Sequence, residues 1–222
     1  MRAMDAMRGR LARLGPLEDQ AVAALTRVIE WAIDMDPSDV RSSLMRLRAA
    51  HPEASPRELA KIAIERTRLR TTAVGVGTGL PAGLLLSAGA GFAEAAVVLR
   101  SHAVMVAQIA ECLVPGFLDE PDARSELLVP IMGPTAAVKA LHVMGMPKDE
   151  GPLTREMARR HLRGGRGKAL GNWLIRGYAR YLAKKVGVTK LLPLLGGLLS
   201  GGWNFAETSV TGRRAVEYLS LI

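Results

Sequence analysis

The stretch TTAVGVGTGLPAGLLLSAGAGFAEA, residues 71–95, decides how this chain is read. Gly75, Gly79, Gly83, Ser87, Gly91 and Ala95 recur at every fourth position, which on an α-helix keeps them on one slowly drifting stripe. Near the C-terminus Gly196, Ser200, Asn204, Thr208 and Gly212 repeat the pattern, with Gly197 and Gly201 beside them. Rows of small residues form a groove that another backbone can enter. A glycine inside a helix costs roughly 1 kcal/mol relative to alanine, so these glycines call for compensating close packing. The two segments are expected to pack on each other, on lipid or on a partner.

Outward from these segments, helix signals dominate and no sustained period-2 alternation marks a strand. After Pro16, the apolar positions Ala21, Leu25, Val28, Ile29 and Ala32 predict a helix ending near Met35. Asp36 reads as an N-cap with Pro37 at the first helical position, opening a helix through about Ala50. Ser55, Pro56 and Glu58 form a capping box for a helix to about Arg70. The spacing then predicts a loop or short helix over Thr71 to Leu80 and a long helix from Pro81 to about Cys112. Asp119 to Asp122 caps a further helix that Gly133 and Pro134 break, and another reaches Met144. Lys148 to Pro152 is the best linker candidate, and the last helix runs from about Pro193 to Leu219. The expected fold is all-α, one bundle of eight or nine helices with the two glycine-rich helices packed at its core. At 222 residues one sizeable core is affordable, and residues 16–222 are read as one domain behind a short N-terminal helix.

Composition limits the function classes. Apolar residues make up 49% of the chain but aromatic ones only 4%, so Ala, Leu, Val, Ile and Met must build the core. Cys112 is the sole cysteine, which excludes an internal disulfide and reads as a small buried hydrophobe. The net charge of +9 is concentrated between Gly151 and Lys190. There Arg155, Arg159, Arg160, Arg163, Arg166, Lys168, Arg176, Arg180, Lys184, Lys185 and Lys190 face a single acid, Glu156. That imbalance is the footprint of an anionic partner, a membrane surface or an acidic protein. Trp173, Tyr178 and Tyr181 lie among these bases and favour a lipid headgroup layer over nucleic acid, for which no recognition motif is present.

Met1, Met4, Met7, Leu11 and Leu14 share one face of a basic amphipathic helix over residues 1–15. It suits an anionic membrane or docking on a partner through Met4, Met7, Leu11 and Leu14. No secretory apolar region follows the early arginines, so a cytoplasmic protein, partly at the cytoplasmic face of the membrane, is expected. Residues 71–93 carry no charge and, as one helix, would extend about 34 Å against a hydrocarbon core of about 30 Å. Residues 191–206 would reach only about 24 Å. Two spans would also place strong positive charge on both sides of the membrane, against the positive-inside rule. A helix pair buried in the protein or dipping partway into one leaflet fits better.

Catalytic motifs are absent. Gly75, Gly77 and Gly79 have the wrong spacing and no preceding strand for a dinucleotide loop, and GGRGKA at residues 164–169 lacks the first glycine and the hydroxyl of a phosphate loop. His51, His102, His142 and His161 are scattered, with no helical metal pattern and no serine-hydrolase elbow elsewhere. No cofactor or metal is expected. Glu94 is the one charge between Arg70 and Arg100; a carboxylate in an apolar helix needs a donor, such as Arg100, His102 or Asn204. Asn204 is expected to bridge the two glycine-rich helices.

These segments together resemble the EcsC family. The likeness rests on TTAVGVGTGLPAGLLLSAGAGFAEAAVVLRSHAVMVAQIAE with its acid Glu94 and downstream Arg100, on PIMGPTAAVKALHVMG from Pro130 to Gly145, and on the closing run KLLPLLGGLLSGGWNFAETSVTGRRAVEYL. In the last, Pro193, Gly196, Gly197, Asn204, Thr208, Gly212, Ala215 and Tyr218 match the family's pattern. The resemblance covers residues 55–222, with glutamate at position 94 where aspartate is commoner. It implies a bacterial, all-helical, membrane-associated protein, named after a neighbour of an ABC exporter, and supplies no catalytic residues. The leading expectation is a non-enzymatic peripheral membrane protein, accessory to transport or secretion and open to self-association. The alternative is a soluble scaffold or cargo protein recruited through residues 1–15, and an enzyme built on Glu94 has only that carboxylate in its favour.

Overall fold

The computed structural model describes residues 20, 22–78, 87–133, 137, 156, 171–172, 175–180 and 196–220. These residues are all-helical with their connections, and no strand occurs among them. The helices are α1 (residues 22–33), α2 (Pro37–Ala50), α3 (Pro56–Thr78), α4 (Ser87–Leu113), α5 (Ala123–Met132), α6 (residues 175–180) and α7 (Gly196–Ser220), with a 3₁₀ turn at Phe117–Asp119.

Local chemistry sets the boundaries. Asp36 Oδ1 accepts from the Ser38 N–H at 2.8 Å with Pro37 at the first helical position, as its sequence predicts. The capping box also forms: Ser55 N–H donates to Glu58 Oε2 at 2.8 Å, and Ser55 Oγ stands 3.4 Å from the Glu58 nitrogen. Gly133, at φ +87°, ends α5 by adopting backbone geometry that side chains disfavour. Asp122 occupies the N-cap of α5, but its side chain makes no capping bond.

One boundary differs from expectation. Thr71 to Thr78 continue α3 without a break, where the sequence predicts a loop or separate short helix. The Thr71 and Thr72 hydroxyls fold back onto the Arg68 carbonyl at 3.2 and 2.8 Å, which spares them from competing with the helix, and Gly75 is held against α7.

The central layer is α3, α4 and α7, each packed against the other two. Leu59 and Cys112 meet in one apolar cluster, while Thr71 and His102 meet through Thr208, so α3 and α4 run antiparallel. Gly75 lies against Gly201 and Gly212 against Ile64, so α7 is also antiparallel to α3 and parallel to α4. The described parts of the uncharged run, residues 71–78 and 87–93, therefore belong to two packed helices.

α4 is the helix around which the rest is built. Leu99, Ala103, Met105, Val106, Ala107, Ile109 and Ala110 are buried on nearly every side of it, against Leu25 and Ile29 of α1, Leu127 and Leu128 of α5, and Tyr178 of α6. Among the described residues Ala96–Leu113 is the one window long and apolar enough to cross a membrane, and 61% of it is buried inside the protein. Its apolar composition is that of a core helix. Cys112 is buried there, and that burial pushes its thiol pKa up, as expected of an inert structural cysteine.

Candidate functional site

Three arrangements stand out, and the first is a buried polar junction of α3, α4 and α7. Thr208 Oγ1 donates to the Asn204 carbonyl at 2.6 Å and lies 2.9 Å from Thr71 Oγ1 and 2.8 Å from His102 Nε2. With the Thr208 proton committed to that carbonyl, its oxygen accepts from His102 Nε2 and from the Thr71 hydroxyl, whose one proton is shared with the Arg68 carbonyl in a three-centre bond. Asn204 Nδ2 donates to the Thr71 carbonyl at 3.2 Å, so Asn204 joins α7 to α3. Thr71 and Thr208 are fully buried, His102 is 2% exposed and Asn204 7%. Each member contacts another member or a helix carbonyl, the condition under which buried polar groups are tolerated. The junction clamps the three helices together.

A second cluster holds α2, α4 and the 3₁₀ turn together. Glu111, only 7% exposed, accepts from the Leu118 N–H at 2.8 Å and faces the Arg41 guanidinium through two contacts of 3.4 Å. Arg41 also donates to Asp119 at 2.7 Å. The bond to Asp119 first, and that to Glu111 second, raise the Arg41 pKa above its ordinary value, so this cation stays charged. The sequence carried a signal for Glu111, an acid within the apolar run IAECL, just as it did for Glu94.

The third arrangement is a level around one end of the central layer. α3 carries no charge after Arg70, α4 none before Glu94, and α7 none before Glu207. Because Gly75 is opposite Gly201, and because α4 and α7 run parallel to each other and antiparallel to α3, these uncharged ends lie at the same pole. Just below it lie Arg66, Arg68, Arg70 and Arg100. The exposed aromatics are here too: Trp31 (53% exposed), Trp203 (56%) and Phe205 (40%), with Leu69 at 66%. Arg68 stacks on Phe205, 4.1 Å from the ring centre, and Arg100 lies 5.2 Å from that of Trp31.

At the same level a cleft of about 270 Å³ opens between α1, α2, α3 and α4, bordered by Arg66, Arg70 and Arg100 with Trp31 at its rim. The sequence suggests Arg100 as a buried partner for Glu94. It is instead half-buried, and its Nη1 donates to the carbonyls of Trp31, Ala32 and Asp34 at 2.7, 3.1 and 2.9 Å, closing the C-terminal end of α1. Glu94 belongs to α4, but its side chain lies outside the described residues.

Of the other sequence-derived positions, Gly75, Gly201 and Asn204 come together at the α3–α7 contact. Gly91, Gly196 and Gly197 are helical, in α4 and α7, whereas Gly79 and Gly83 lie outside the described residues. Arg176 and Arg180 are exposed on α6 while its Ile175, Tyr178 and Ala179 enter the core. The remaining bases of the cluster (Arg155, Arg159, Arg160, Arg163, Arg166, Lys168, Lys184, Lys185 and Lys190), the linker at residues 148–152, and Met4, Met7, Leu11 and Leu14 lie outside the described residues. No group of metal-ligating residues occurs among the described ones. Compared with known proteins, the chain matches no family model, no curated protein and no solved structure.

Proposed function

We propose that this chain is a non-enzymatic, peripheral membrane protein of the EcsC type, a bundle of eight or nine helices with its glycine-rich helices at the core, attached to an anionic bilayer at the cytoplasmic face. The observation that carries the reading is the shared uncharged pole of α3, α4 and α7 above a level of arginines and exposed aromatics. The described uncharged lengths run about 12 Å beyond Arg70 in α3, about 10 Å from Glu94 to the start of α4 and about 16 Å from Glu207 to the start of α7. Half of a hydrocarbon core is about 15 Å, so these described lengths are comparable to the depth of one leaflet. Arginine and tryptophan at the base of such ends suit the headgroup layer, where cations meet lipid phosphate and amphipathic rings settle. Arg176 and Arg180, exposed on α6, belong to the basic segment that supplies further attraction. Each base near an anionic surface contributes about 1 kcal/mol, screened by salt.

Flotation of the protein with neutral and with anionic vesicles, followed by high-salt and alkaline carbonate washes, tests this reading. Binding that requires anionic lipid and weakens in salt is the expected result. Resistance to both washes would make insertion of the pole dominant over charge. Failure to float with either vesicle would overturn membrane attachment and move the alternative, a scaffold or cargo protein recruited through residues 1–15, into first place.

A further inference from the structure

The geometry points to the cleft between α1, α2, α3 and α4 as a binding site for a phosphate ester carried on an apolar body. Arg66 and Arg70 stand one helical turn apart on α3, and Arg100 borders the cleft from α4. Like charges four residues apart repel weakly at an exposed site, and an anion shared between them relieves that repulsion. Among the described residues no carboxylate lines the cleft. Among the described residues the ion pairs belong to Arg41, Arg68 and Arg124; Arg66, Arg70 and Arg100 make none. Arg100 is already oriented, because its Nη1 is held by three carbonyls and its plane lies by the Trp31 ring, which leaves the other guanidinium edge for a ligand. Planar guanidinium groups match phosphate oxygens two at a time, and two or more of them distinguish a phosphate from a weaker, single-charge partner.

The rest of the lining specifies what the phosphate is attached to. Thr67 and the Ser43–Gln108 pair, bonded at 2.9 Å, offer polar contacts of the kind a glycerol or sugar hydroxyl uses. Val97 and Trp31 give an exposed apolar side toward the uncharged pole. A volume of about 270 Å³ fits a headgroup-sized ligand, below the usual range of drug-sized pockets. The same chemistry occurs in an acidic lipid headgroup and in a soluble phosphate ester. The lipid source rests on the membrane reading; the cleft itself does not.

The test is calorimetric titration of the full chain with inorganic phosphate, glycerol phosphate and a water-soluble short-chain phosphatidic acid, beside flotation with vesicles that contain or lack phosphatidic acid. Arg66→Gln/Arg70→Gln is the diagnostic variant. Both side chains are exposed, so folding should survive, and an unchanged thermal melt would verify it. The expected result is tightest binding of the short-chain phosphatidic acid and a loss of about tenfold or more in the double variant. Preference for glycerol phosphate over the short-chain lipid would overturn the apolar body of the ligand and leave the cleft a site for a polar, soluble phosphate ester. Soluble-probe binding without flotation would keep the cleft and overturn the membrane reading. Flotation unaffected by the double variant, with no soluble probe bound, would overturn the cleft and leave the membrane reading standing.

Discussion

Gly75 and Gly201 face each other with nothing between them. A Cβ built on Gly75 would stand 2.8 Å from the Gly201 nitrogen, 2.9 Å from its Cα and 2.7 Å from Asn204 Nδ2. Two of those atoms are backbone, which cannot turn aside as a flexible side chain can. Gly75→Ala should therefore push α7 away from α3 and destabilise the protein by about 1–3 kcal/mol. Gly202, one residue beyond Gly201, is the internal control, because a Cβ added there would meet nothing within 4 Å. Gly202→Ala should be neutral or stabilising by up to about 1 kcal/mol, from helix propensity alone. Urea denaturation of the two variants checks this; equal effects would show that the α3–α7 approach is not tight.

The polar junction makes a second prediction. Thr208→Val keeps the side-chain shape but removes the oxygen that faces both Thr71 Oγ1 and His102 Nε2. Leaving buried groups short of a partner should cost about 1–3 kcal/mol, whereas Thr208→Ser, which retains the hydroxyl, should cost about 1 kcal/mol for the lost methyl. A valine variant as stable as wild type in chemical denaturation would mean that His102 is satisfied without Thr208.

At the other end of α4, Glu111→Gln should be milder than Glu111→Leu. Glutamine retains an oxygen for the Leu118 N–H, while leucine leaves both that N–H and the Arg41 contacts without an acceptor. The expected costs are about 1 kcal/mol and about 2–3 kcal/mol, tempered because Arg41 is partly solvated and keeps Asp119. Hydrogen exchange at the Leu118 amide should accelerate in the leucine variant and much less in the glutamine one.

The capping box gives a pH signature. The Ser55 hydroxyl first, and its main-chain N–H second, hold the Glu58 carboxyl below its ordinary pKa. A carboxylate depressed on folding stabilises fully above its unfolded pKa, and that contribution is lost as pH falls through the lowered folded value. Ser55→Ala should therefore lower the melting temperature at neutral pH, and the gap to wild type should narrow on acidification across the carboxyl range. A gap constant with pH would show that the serine acts only through the uncharged cap.

The boundaries that were legible in the sequence are those with a local chemical cause. Asp36 and Pro37, Ser55 with Glu58, and Gly133 each act within a few residues of themselves. The extension of α3 through Thr78 was not legible, because glycine and threonine disfavour helix locally and only the contact of Gly75 with α7 reverses that preference. Arg100 is recognisable in the sequence as a residue needing a partner, but the choice of the α1 carbonyls depended on α1 ending beside α4. The acid Glu126 shows the same gap: it is buried on α5, and its position does not stand out until the helices that cover it are in place.

The sequence by itself determined that the described residues are helical, where several of those helices begin, and that small residues line one stripe of the C-terminal helix, since these follow from periodicity, caps and side-chain size. Tertiary structure alone decided that α3, α4 and α7 turn their uncharged ends to one pole and that Arg66, Arg70 and Arg100 border one cleft. Those are matters of direction and register between helices. Both are set by contacts such as Gly75 on Gly201 and Thr71 with Thr208, made between residues more than a hundred positions apart.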